Sequence, residues 1–298
     1  MREETIYALG FFDGVHLGHQ ALLQQCRRLA KEKACASAVM TFRTHPAKVL
    51  KGVEPPRITT NEGRRDLLFA YGIDIVEERF FDKATMETPW EDFMEKFLRP
   101  AGFVCGSDFR FGAGGTGTAQ ALAAWCEEQN IPCVIVPQQE LDGIRVSSTH
   151  IRTLLEGGNI KEANRFLGHP HQFTGKVVEG KKLGRTIGIP TANLEMPQGL
   201  VRLPHGVYAC KACFDGKKYL AVTNIGTRPT VEGKTVTVEP WILDFEGDLY
   251  GKNITLEFYD FLRPEKKFDS LEELKAQIQT DAKNTRHLIE NGELRMEN

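Results

Sequence analysis

Two histidines and three glycines follow an apolar run near the start of the chain. The run covers residues 6–9, and residues 10–19 read G-F-F-D-G-V-H-L-G-H. Glycines let a backbone approach phosphate closely, and a helix N-terminus offers unpaired N–H groups and a positive dipole end. His16 and His19 lie one helical turn apart and could stabilise charge on a transferring phosphate, while Gly18 leaves room for a nucleotide. The whole pattern favours a nucleotidyl-transfer site over two ordinary surface histidines.

The elements that must position these residues alternate apolar runs with amphipathic stretches. The apolar runs that predict buried strands lie at residues 38–42, 73–76, 103–105 and 134–136. Leu22, Cys26 and Leu29 recur at helical spacing after the second histidine. The pattern predicts a Rossmann-like α/β/α domain, with a parallel sheet covered by helices on both faces. Ligands of such a sheet bind at the carboxyl ends of its strands.

The pattern changes near the middle of the chain. A glycine-rich stretch lies at residues 156–159, and Gly168-His169-Pro170 interrupts the helical segment that follows it. We therefore predict two domains, which cover residues 1–168 and 169–298.

The second domain has the period of β-strands. Ile254, Leu256 and Phe258 alternate with polar residues, and turn signals separate short strands. This predicts a small antiparallel β-barrel. Ser270 and Glu273 then form a capping box at the start of a terminal helix. The apolar face that should pack on the barrel carries Leu271, Leu274 and Ile278.

The composition limits the classes of function. A chain of 298 residues is long enough for two domains that each bury a core. With 38 Lys and Arg against 40 Asp and Glu, the formal net charge is -2, so no global charge favours a nucleic acid or an acidic membrane. The chain has no apolar stretch of bilayer length, and residues 1–5 do not begin a signal peptide, which predicts a cytoplasmic protein.

Cysteine usage favours free thiols. Seven is an odd number, and a disulfide scaffold is unusual in a chain of this size. Cys210 and Cys213 have C-x-x-C spacing, but no second Cys or His pair accompanies them. The surrounding residues favour a strand that leads into an Asp215-Gly216 turn over a zinc or redox site.

Motifs along the whole chain resemble those of one enzyme family. The first motif resembles the H-x-G-H variant of bacterial FAD synthetases, and the likeness continues in the family's order through residues 41–46 (T-F-R-T-H-P), 106–112 (G-S-D-F-R-F-G) and 147–152 (S-S-T-H-I-R). Residues 184–194 (G-R-T-I-G-I-P-T-A-N-L) resemble riboflavin kinase. The chain is therefore similar to the bifunctional riboflavin kinase/FAD synthetases. That resemblance implies phosphorylation of riboflavin to FMN in the C-terminal half and adenylylation of FMN to FAD, with release of pyrophosphate, in the N-terminal half.

The resemblance also implies roles for residues of the N-terminal half. His16 and His19 would be catalytic. The residues implied to bind ATP and phosphate are Gly10, Phe12, Asp13, Gly18, Arg110, Ser147, Ser148, Thr149 and Arg152. The residues implied on the flavin side are Phe42, His45, Pro46 and Asp108. From the residues alone, Phe109 and Phe111 could equally be core aromatics beside a solvated Arg110, and the serines a helix cap.

The kinase site is implied in the same way. Glu239 would be the catalytic base, and Thr191 and Asn193 would bind the Mg²⁺ that accompanies ATP, since neutral oxygens suit this cation. The residues implied to bind ATP or flavin are Lys182, Gly184, Arg185, Gly188, Pro190 and Asn224. From spacing alone, Glu239 would be a solvated strand carboxylate.

Two other functions compete with this interpretation. One is a flavin- or nucleotide-binding regulatory protein that retains only the kinase activity. The other is a cytidylyltransferase for another phosphoalcohol, which would leave the kinase motif unexplained. The expected partners are the small molecules riboflavin, FMN and ATP, with neither nucleic acid nor membrane. The sequence does not determine the oligomeric state.

Overall fold

The computed structural model describes residues 4–97, 100–180, 188–230 and 233–296. The chain divides into two compact units, Met1–His150 and Ile151–Asn298.

The division falls earlier than the predicted boundary after residue 168 because a helix, Ile160–Leu167, belongs to the second unit. The Nδ2 atom of Asn164 donates a hydrogen bond to the main-chain oxygen of Phe258 at 2.8 Å. The Oδ1 atom of Asn164 accepts one from the main-chain nitrogen of His171 at 2.7 Å. These bonds tie the helix to strands of the second unit.

The first unit is a parallel sheet with helices on both faces. Its sheet strands are β1 Thr5–Leu9, β2 Ala36–Phe42, β3 Ile75–Arg79, β4 Pro100–Gly106 and β7 Cys133–Val136. Two small hairpins are formed by β5 Arg110–Phe111 with β6 Gly117–Thr118, and by β8 Glu140–Leu141 with β9 Ile144–Arg145. The helices are α1 Leu17–Lys33, α2 Pro46–Lys51, α3 Asn61–Ala70, α4 Lys83–Glu87, α5 Trp90–Met94 and α6 Ala119–Glu128. The helix α7, Ser148–Glu156, spans the division.

The strand order of the sheet places the predicted motif at a ligand-binding edge. The order is β3-β2-β1-β4-β7, and every pairing is parallel. The chain passes from β1 to β2 on one side and later returns to β4 on the other, so the order reverses beside β1. Ligands of open α/β sheets bind at this switch point, outside the carboxyl ends of the strands. The loop after β1 lies there.

Both faces of the sheet are buried, as the sequence predicts. Ile6 and Ala8 of β1 pack on one side with α1. The α1 residues in that cluster include Leu22, Cys26 and Leu29. Tyr7 and Leu9 face the other side, where α5 and α6 contribute Phe93, Leu122 and Cys126. The predicted Rossmann-like architecture is confirmed, although the strand expected at 73–76 begins at Ile75.

The described residues of the second unit form a closed antiparallel barrel flanked by helices. The strands are β10 His171–Val178, β11 Asn193–Leu194, β12 Gly206–Phe214, β13 Lys217–Thr230, β14 Gly233–Ile242 and β15 Asn253–Pro264. Their order around the barrel is β10-β11-β14-β13-β12-β15. The helices are α8 Ile160–Leu167 and α9 Leu271–Met296. The predicted barrel is confirmed, and the apolar residues of its alternating strand, Ile254, Leu256 and Phe258, are fully buried.

The cysteine pair of the barrel lies in a strand. Cys210 and Cys213 are free thiols in β12, which ends at a turn through Asp215 and Gly216. Both turn residues have positive φ, 49° and 72°, a conformation that Asp tolerates and Gly adopts freely. The strand interpretation of this C-x-x-C segment is confirmed.

The terminal helix α9 begins where the sequence predicts, and the predicted face is buried along its later turns. The Ser270 hydroxyl accepts a hydrogen bond from the Glu273 main-chain nitrogen at 3.1 Å, as in a capping box. Leu271, in the first turn, is 61% exposed, whereas Leu274 and Ile278 are half-buried. The buried side chains lie further along on the same side of the helix, at Asp281, Ala282, Thr285 and Ile289. The Arg263 guanidinium of β15 donates to both carboxylate oxygens of Asp281, so an ion pair holds this side against the barrel.

Candidate functional site

The loop between β1 and α1 has an unusual backbone. Phe12, Gly14 and Val15 all have positive φ, at 57°, 83° and 41°. A β-branched residue such as Val15 adopts this region at a cost, so the surrounding structure must hold the loop in place. The Phe12 ring is buried in the core beside α1 rather than open to a nucleotide.

Asp13 clamps this loop to a distant segment. Its carboxylate accepts hydrogen bonds from the main-chain nitrogens of Ile58, at 2.9 Å, and Thr59, at 3.1 Å. The Thr59 hydroxyl in turn accepts from the Gly14 nitrogen at 3.2 Å. Asp13 is only 2% exposed. The resemblance implied a phosphate contact for Asp13, whereas the structure uses its carboxylate to position the loop.

Replacement of Asp13 by Asn should therefore destabilise the first unit. An amide offers one acceptor oxygen and turns a donor toward the N–H groups, and a lost buried bond to a charged group costs about 1.5–3 kcal/mol. Thermal unfolding should occur at a lower temperature, and the adenylylation of FMN that the resemblance implies should fall with it. Asp66→Asn, on an exposed aspartate of α3, is the matched control. Unchanged stability with a higher KM for ATP would instead make Asp13 a nucleotide ligand.

The two histidines are in contact at the start of α1. The Nδ1 atom of His16 accepts a hydrogen bond from the His19 main-chain nitrogen at 3.3 Å, so His16 caps the helix. The two rings stack with centroids 3.6 Å apart. A Cβ at Gly18 would lie 3.2 Å from the His16 ring. The glycine therefore makes room for a histidine side chain, where the sequence had suggested room for a nucleotide.

His19 is held in its neutral form. Its Nδ1 atom is enclosed although the ring as a whole is half-buried. Burial lowers the pKa of His19 well below its ordinary value, and the nearby His16 and Arg64 lower this pKa further. A neutral imidazole can donate one hydrogen bond, which suits a contact to a phosphate oxygen better than a role as a permanent cation.

Arg64 is a buried cation of this site that sequence reasoning missed. It lies in α3, and 2% of it is exposed. Its guanidinium donates to the main-chain oxygens of Phe11, at 2.9 Å, and Phe42, at 2.8 Å. It also lies 3.4 Å from the Glu78 carboxylate and 4.7 Å from the centroid of the Phe11 ring. Arg64 thus joins the loops that follow β1 and β2. Its position three residues before Leu67, on the buried face of α3, was the available signal.

The flavin-side residues lie on the second of these loops. The Nδ1 atom of His45 accepts from the Ala47 nitrogen at 3.1 Å and caps α2, which begins with Pro46. The His45 ring lies 4.5 Å from that of Phe11, which follows β1. The Phe42 ring makes an edge contact with Phe81 at 5.0 Å. Aromatic side chains thus gather at the carboxyl ends of β1 and β2.

Asp108 and Arg110 lie in different surroundings. Asp108 forms an exposed ion pair with Arg145 of the β8–β9 hairpin. The exposed Arg110 donates to the main-chain oxygen of Gly115 at 3.4 Å. The Phe109 and Phe111 rings stack at 5.3 Å and pack on the core of the first unit. The alternative of core aromatics beside a solvated arginine describes this segment.

The serine segment begins α7. The Ser147 hydroxyl accepts from the His150 nitrogen at 3.2 Å, which is a helix cap. The Ser148 hydroxyl donates to the main-chain oxygen of Asp13 at 3.0 Å. This bond brings the segment to the loop after β1, although 135 residues separate the two in sequence. Thr149 is exposed, and Arg152 is half-buried one turn along the same helix.

Part of the implied kinase site can be located on the barrel. Lys182, Gly184 and Arg185 lie outside the described residues. Gly188 and Pro190 are exposed, and Gly188 has a φ of 75°. A cavity of about 350 Å³ lies on this unit. Its lining includes Pro190, Thr191, Phe245, Glu246, Asp248 and Tyr250.

Asn193 lies against a glycine at the edge of this region. A Cβ at Gly180 would overlap the Asn193 amide group, so the close approach requires glycine there. Asn193 begins β11 and pairs with Val178 of β10. Thr191, two residues earlier, is exposed. The hydroxyl and the amide are oxygen donors, and a partial set of this kind suits Mg²⁺, which takes its remaining ligands from phosphate and water.

Glu239 lies on the outer face of the barrel. It pairs with Asn224 across β13 and β14, and paired residues of adjacent strands share a face. Trp241 is two residues along β14 on the same face, where it packs against a cluster of Val207, Val222, Leu243 and Ala282. The candidate base therefore lies outside the barrel interior, as the alternation of this strand predicts. Asn224 is brought next to it.

The first unit carries a glycine-rich loop between a strand and a helix of a parallel sheet, and the second carries a carboxylate on the outer face of a barrel. Together these features are typical of a class of two-domain enzymes that handle nucleotides and phosphate. Residues 1–150 match the family model of FAD synthetase, and residues 167–289 match that of riboflavin kinase. The chain belongs to the bifunctional riboflavin kinase/FMN adenylyltransferase family.

Individual relatives agree over almost the full length. The bifunctional riboflavin kinase/FMN adenylyltransferase of Listeria monocytogenes is 35% identical, with 94% of this chain and 91% of that protein covered. That of Escherichia coli K12 is 37% identical, with 94% and 91% covered. A crystal structure described as a macrolide-efflux protein from Streptococcus pneumoniae superposes with a TM-score of 0.87 at 31% identity, covering 96% of this chain and 95% of that one. Within the described part of this chain, no helix is long and apolar enough to cross a membrane.

Proposed function

We propose that each unit carries one of two consecutive ATP-dependent steps. The barrel unit phosphorylates riboflavin to FMN and releases ADP. The α/β unit transfers AMP from a second ATP to FMN, forming FAD and pyrophosphate. The observation that carries this proposal is that the two family models match separate compact units of the chain, at residues 1–150 and 167–289. The substrates are small molecules, and we propose the cytoplasm as the place of the reactions.

In adenylyl transfer, a phosphate oxygen of FMN attacks the α-phosphorus of ATP in line with the departing pyrophosphate. Such a step needs positioning and stabilisation of charge rather than a covalent intermediate. The neutral ring of His19 donates a hydrogen bond to a phosphate oxygen of ATP on which negative charge increases during the transfer. His16 holds that ring by stacking. The N-terminus of α1 adds its dipole and N–H groups. Arg64 joins the loops after β1 and β2, so the residues on the nucleotide side and those on the flavin side keep fixed relative positions.

The kinase step needs a base, a cation and a nearby phosphate donor. Glu239 accepts the proton of the terminal side-chain hydroxyl of riboflavin as that oxygen attacks the γ-phosphorus of ATP. Asn224, its cross-strand neighbour, orients the hydroxyl by hydrogen bonding. Thr191 and Asn193 would hold Mg²⁺, which when bound neutralises charge on the phosphates. The cavity beside Thr191 receives the nucleotide.

The metal assignment predicts a selective effect of Asn193→Ala. The concentration of Mg²⁺ that half-saturates the riboflavin kinase reaction should rise about tenfold or more, because one oxygen ligand is lost. FMN adenylylation by the same protein should keep its Mg²⁺ dependence. The rates are followed by chromatographic separation of riboflavin, FMN and FAD over time. Asn253→Ala, on an exposed asparagine that begins β15, is the control. An unchanged Mg²⁺ dependence would remove Asn193 from the metal site.

The same time course tests the whole proposal. Riboflavin and ATP should give FMN first and FAD later, and added FMN should give FAD without riboflavin. A regulatory protein that kept only the kinase activity would stop at FMN.

A further inference from the structure

A second carboxylate reaches the face of the barrel that carries Glu239. Glu265 directly follows β15, whose last residue, Pro264, pairs with Gly206 of β12. Gly206 pairs on its other side with Ile225 of β13. The Glu265 side chain extends over this strand, because a Cβ at Gly226, the next residue of β13, would overlap its Oε1 atom.

Two glycines open the path that this side chain takes. A Cβ at Gly206 would overlap the main-chain oxygen of Arg263 and the ring of Phe261, so β15 crosses β12 closely at this point. A side chain at Gly226 would occupy the place of the Glu265 carboxylate. Glycine at both positions lets a residue that follows β15 present its carboxylate above β13.

The carboxylate is placed beside the proposed base. Gly226 and Asn224 are two residues apart in β13 and therefore share a face, and Asn224 pairs with Glu239. The Cα atoms of such diagonal neighbours as Gly226 and Glu239 lie about 7–8 Å apart. A Cβ atom placed on Gly226 would lie 3.4 Å from the Asn224 Nδ2 atom. Three polar side chains thus adjoin on one face.

The carboxylate of Glu265 remains accessible. Its side chain is 47% exposed, and its Oε2 atom lies 3.9 Å from the Nδ1 atom of His205. An ion pair of this length and exposure holds a carboxylate only weakly. A ligand that supplies better donors could therefore engage it.

We propose that Glu265 binds the hydroxylated side chain of riboflavin and sets the distance between its terminal hydroxyl and the base; this rests on the proposed role of Glu239. An ionised carboxylate only accepts hydrogen bonds, and a polyol chain offers several O–H donors in a row. O–H donors form short, strong bonds to carboxylates. The phosphates of ATP, being anionic, are repelled by the same group. Glu265 therefore selects the alcohol substrate over the nucleotide at this position.

The test separates the side chain of riboflavin from its ring system. In Glu265→Gln, the KM for riboflavin in the kinase reaction should rise about 10- to 100-fold, the usual effect of losing a hydrogen bond to a charged group. Lumiflavin has the same ring system without the hydroxylated chain, and its inhibition constant against riboflavin should stay the same. Both constants are read from FMN formation, so flavin binding at the other unit does not enter.

Controls decide whether the effect is specific. Glu272→Gln, on an exposed glutamate of the first turn of α9, should leave both constants unchanged. If the Gln variant loses its fold, Glu265→Asp, which keeps the charge on a shorter side chain, should still raise the KM for riboflavin. An unchanged KM in a folded variant, or a parallel loss of riboflavin and lumiflavin affinity, would overturn the proposal. An active Glu239→Gln enzyme would refute the base and leave the Glu265 binding result to stand alone.

Discussion

Replacement of His19 by Ala should lower the rate of FAD formation from FMN by about 10²- to 10³-fold, the usual effect on kcat of losing a preorganised charge-stabilising donor. The riboflavin kinase step should continue, because its proposed residues lie in the other compact unit. Both rates are read from one chromatographic time course. The exposed His287 of α9 supplies the control variant, His287→Ala, which should change neither rate.

His16 offers a comparison within the same site. Its Nδ1 atom caps α1, so His16→Ala should lose about 1 kcal/mol of stability as well as activity. Asn is a good capping residue, and His16→Asn should restore the stability while FAD formation stays slow. If His19→Ala abolished the kinase step in a folded protein, the proposed division between the units would be refuted.

The protonation state of His19 gives this prediction a pH dependence. Burial lowers its folded-state pKa below the ordinary value of 6.5, so the unfolded chain binds the proton first as the pH falls. Stability from the neutral ring is complete above pH 6.5 and is lost as the pH falls from there toward the folded-state pKa. The rate of FAD formation should therefore not fall near pH 6.5 as the pH is lowered. A fall there that vanishes in His19→Ala would show that the ring titrates at its ordinary pKa, and a fall above pH 6.5 that vanishes in this variant would show that the charged ring is the active form.

Local pattern predicted those parts of the molecule that local hydrogen bonds build. The contact between His16 and His19 follows from one helical turn, and the cap of α9 at Ser270 follows from a spacing of three residues. The alternation of β14 predicted an outward Glu239, and the structure confirms that face. In each case the residues that decide the geometry are neighbours in sequence.

Contacts between distant residues were the ones that the sequence did not predict. The resemblance implied that Asp13 binds phosphate, and nothing near it in sequence indicates the Ile58 and Thr59 nitrogens, 45 and 46 residues away, that donate to its carboxylate. Arg64 was missed because its acceptor Phe11 is 53 residues distant. The residue types of these partners do not indicate the contacts, because each partner is a main-chain group. The hydrogen-bond partners of a polar motif therefore depend on residues that the motif itself does not contain.

One contact of α9 is of the same kind. The face that packs on the barrel follows from local pattern, since Leu271, Ala282 and Ile289 lie on one side of the helix. The ion pair between Arg263 and Asp281 does not follow from it, because 18 positions separate the two residues. The carboxylate of Asp281 carries no sign in the sequence that its partner lies in β15.

Replacement of Glu239 by Gln should lower the kcat of FMN formation by about 10²- to 10⁴-fold, the range that a general base contributes. The amide has the size of the carboxylate but cannot take the proton of the attacking hydroxyl. The KM for riboflavin should change little, because the shape of the site and the proposed contact with Glu265 remain. Added FMN should still be converted to FAD at the original rate, since the adenylylating residues lie in the other unit.

The comparison of Glu239→Gln with Glu239→Asp separates a base from a merely polar strand residue. Asp keeps the carboxylate but withdraws it by one methylene, so it should retain more activity than the isosteric amide if proton transfer matters. A strand carboxylate that only contributes solubility would give the opposite order or no effect. Glu195→Gln, on an exposed glutamate directly after β11, should be neutral in both assays. Full kinase activity of a folded Glu239→Gln enzyme would refute the assignment of the base, and the proton acceptor would then have to be sought elsewhere on the outer face of the barrel.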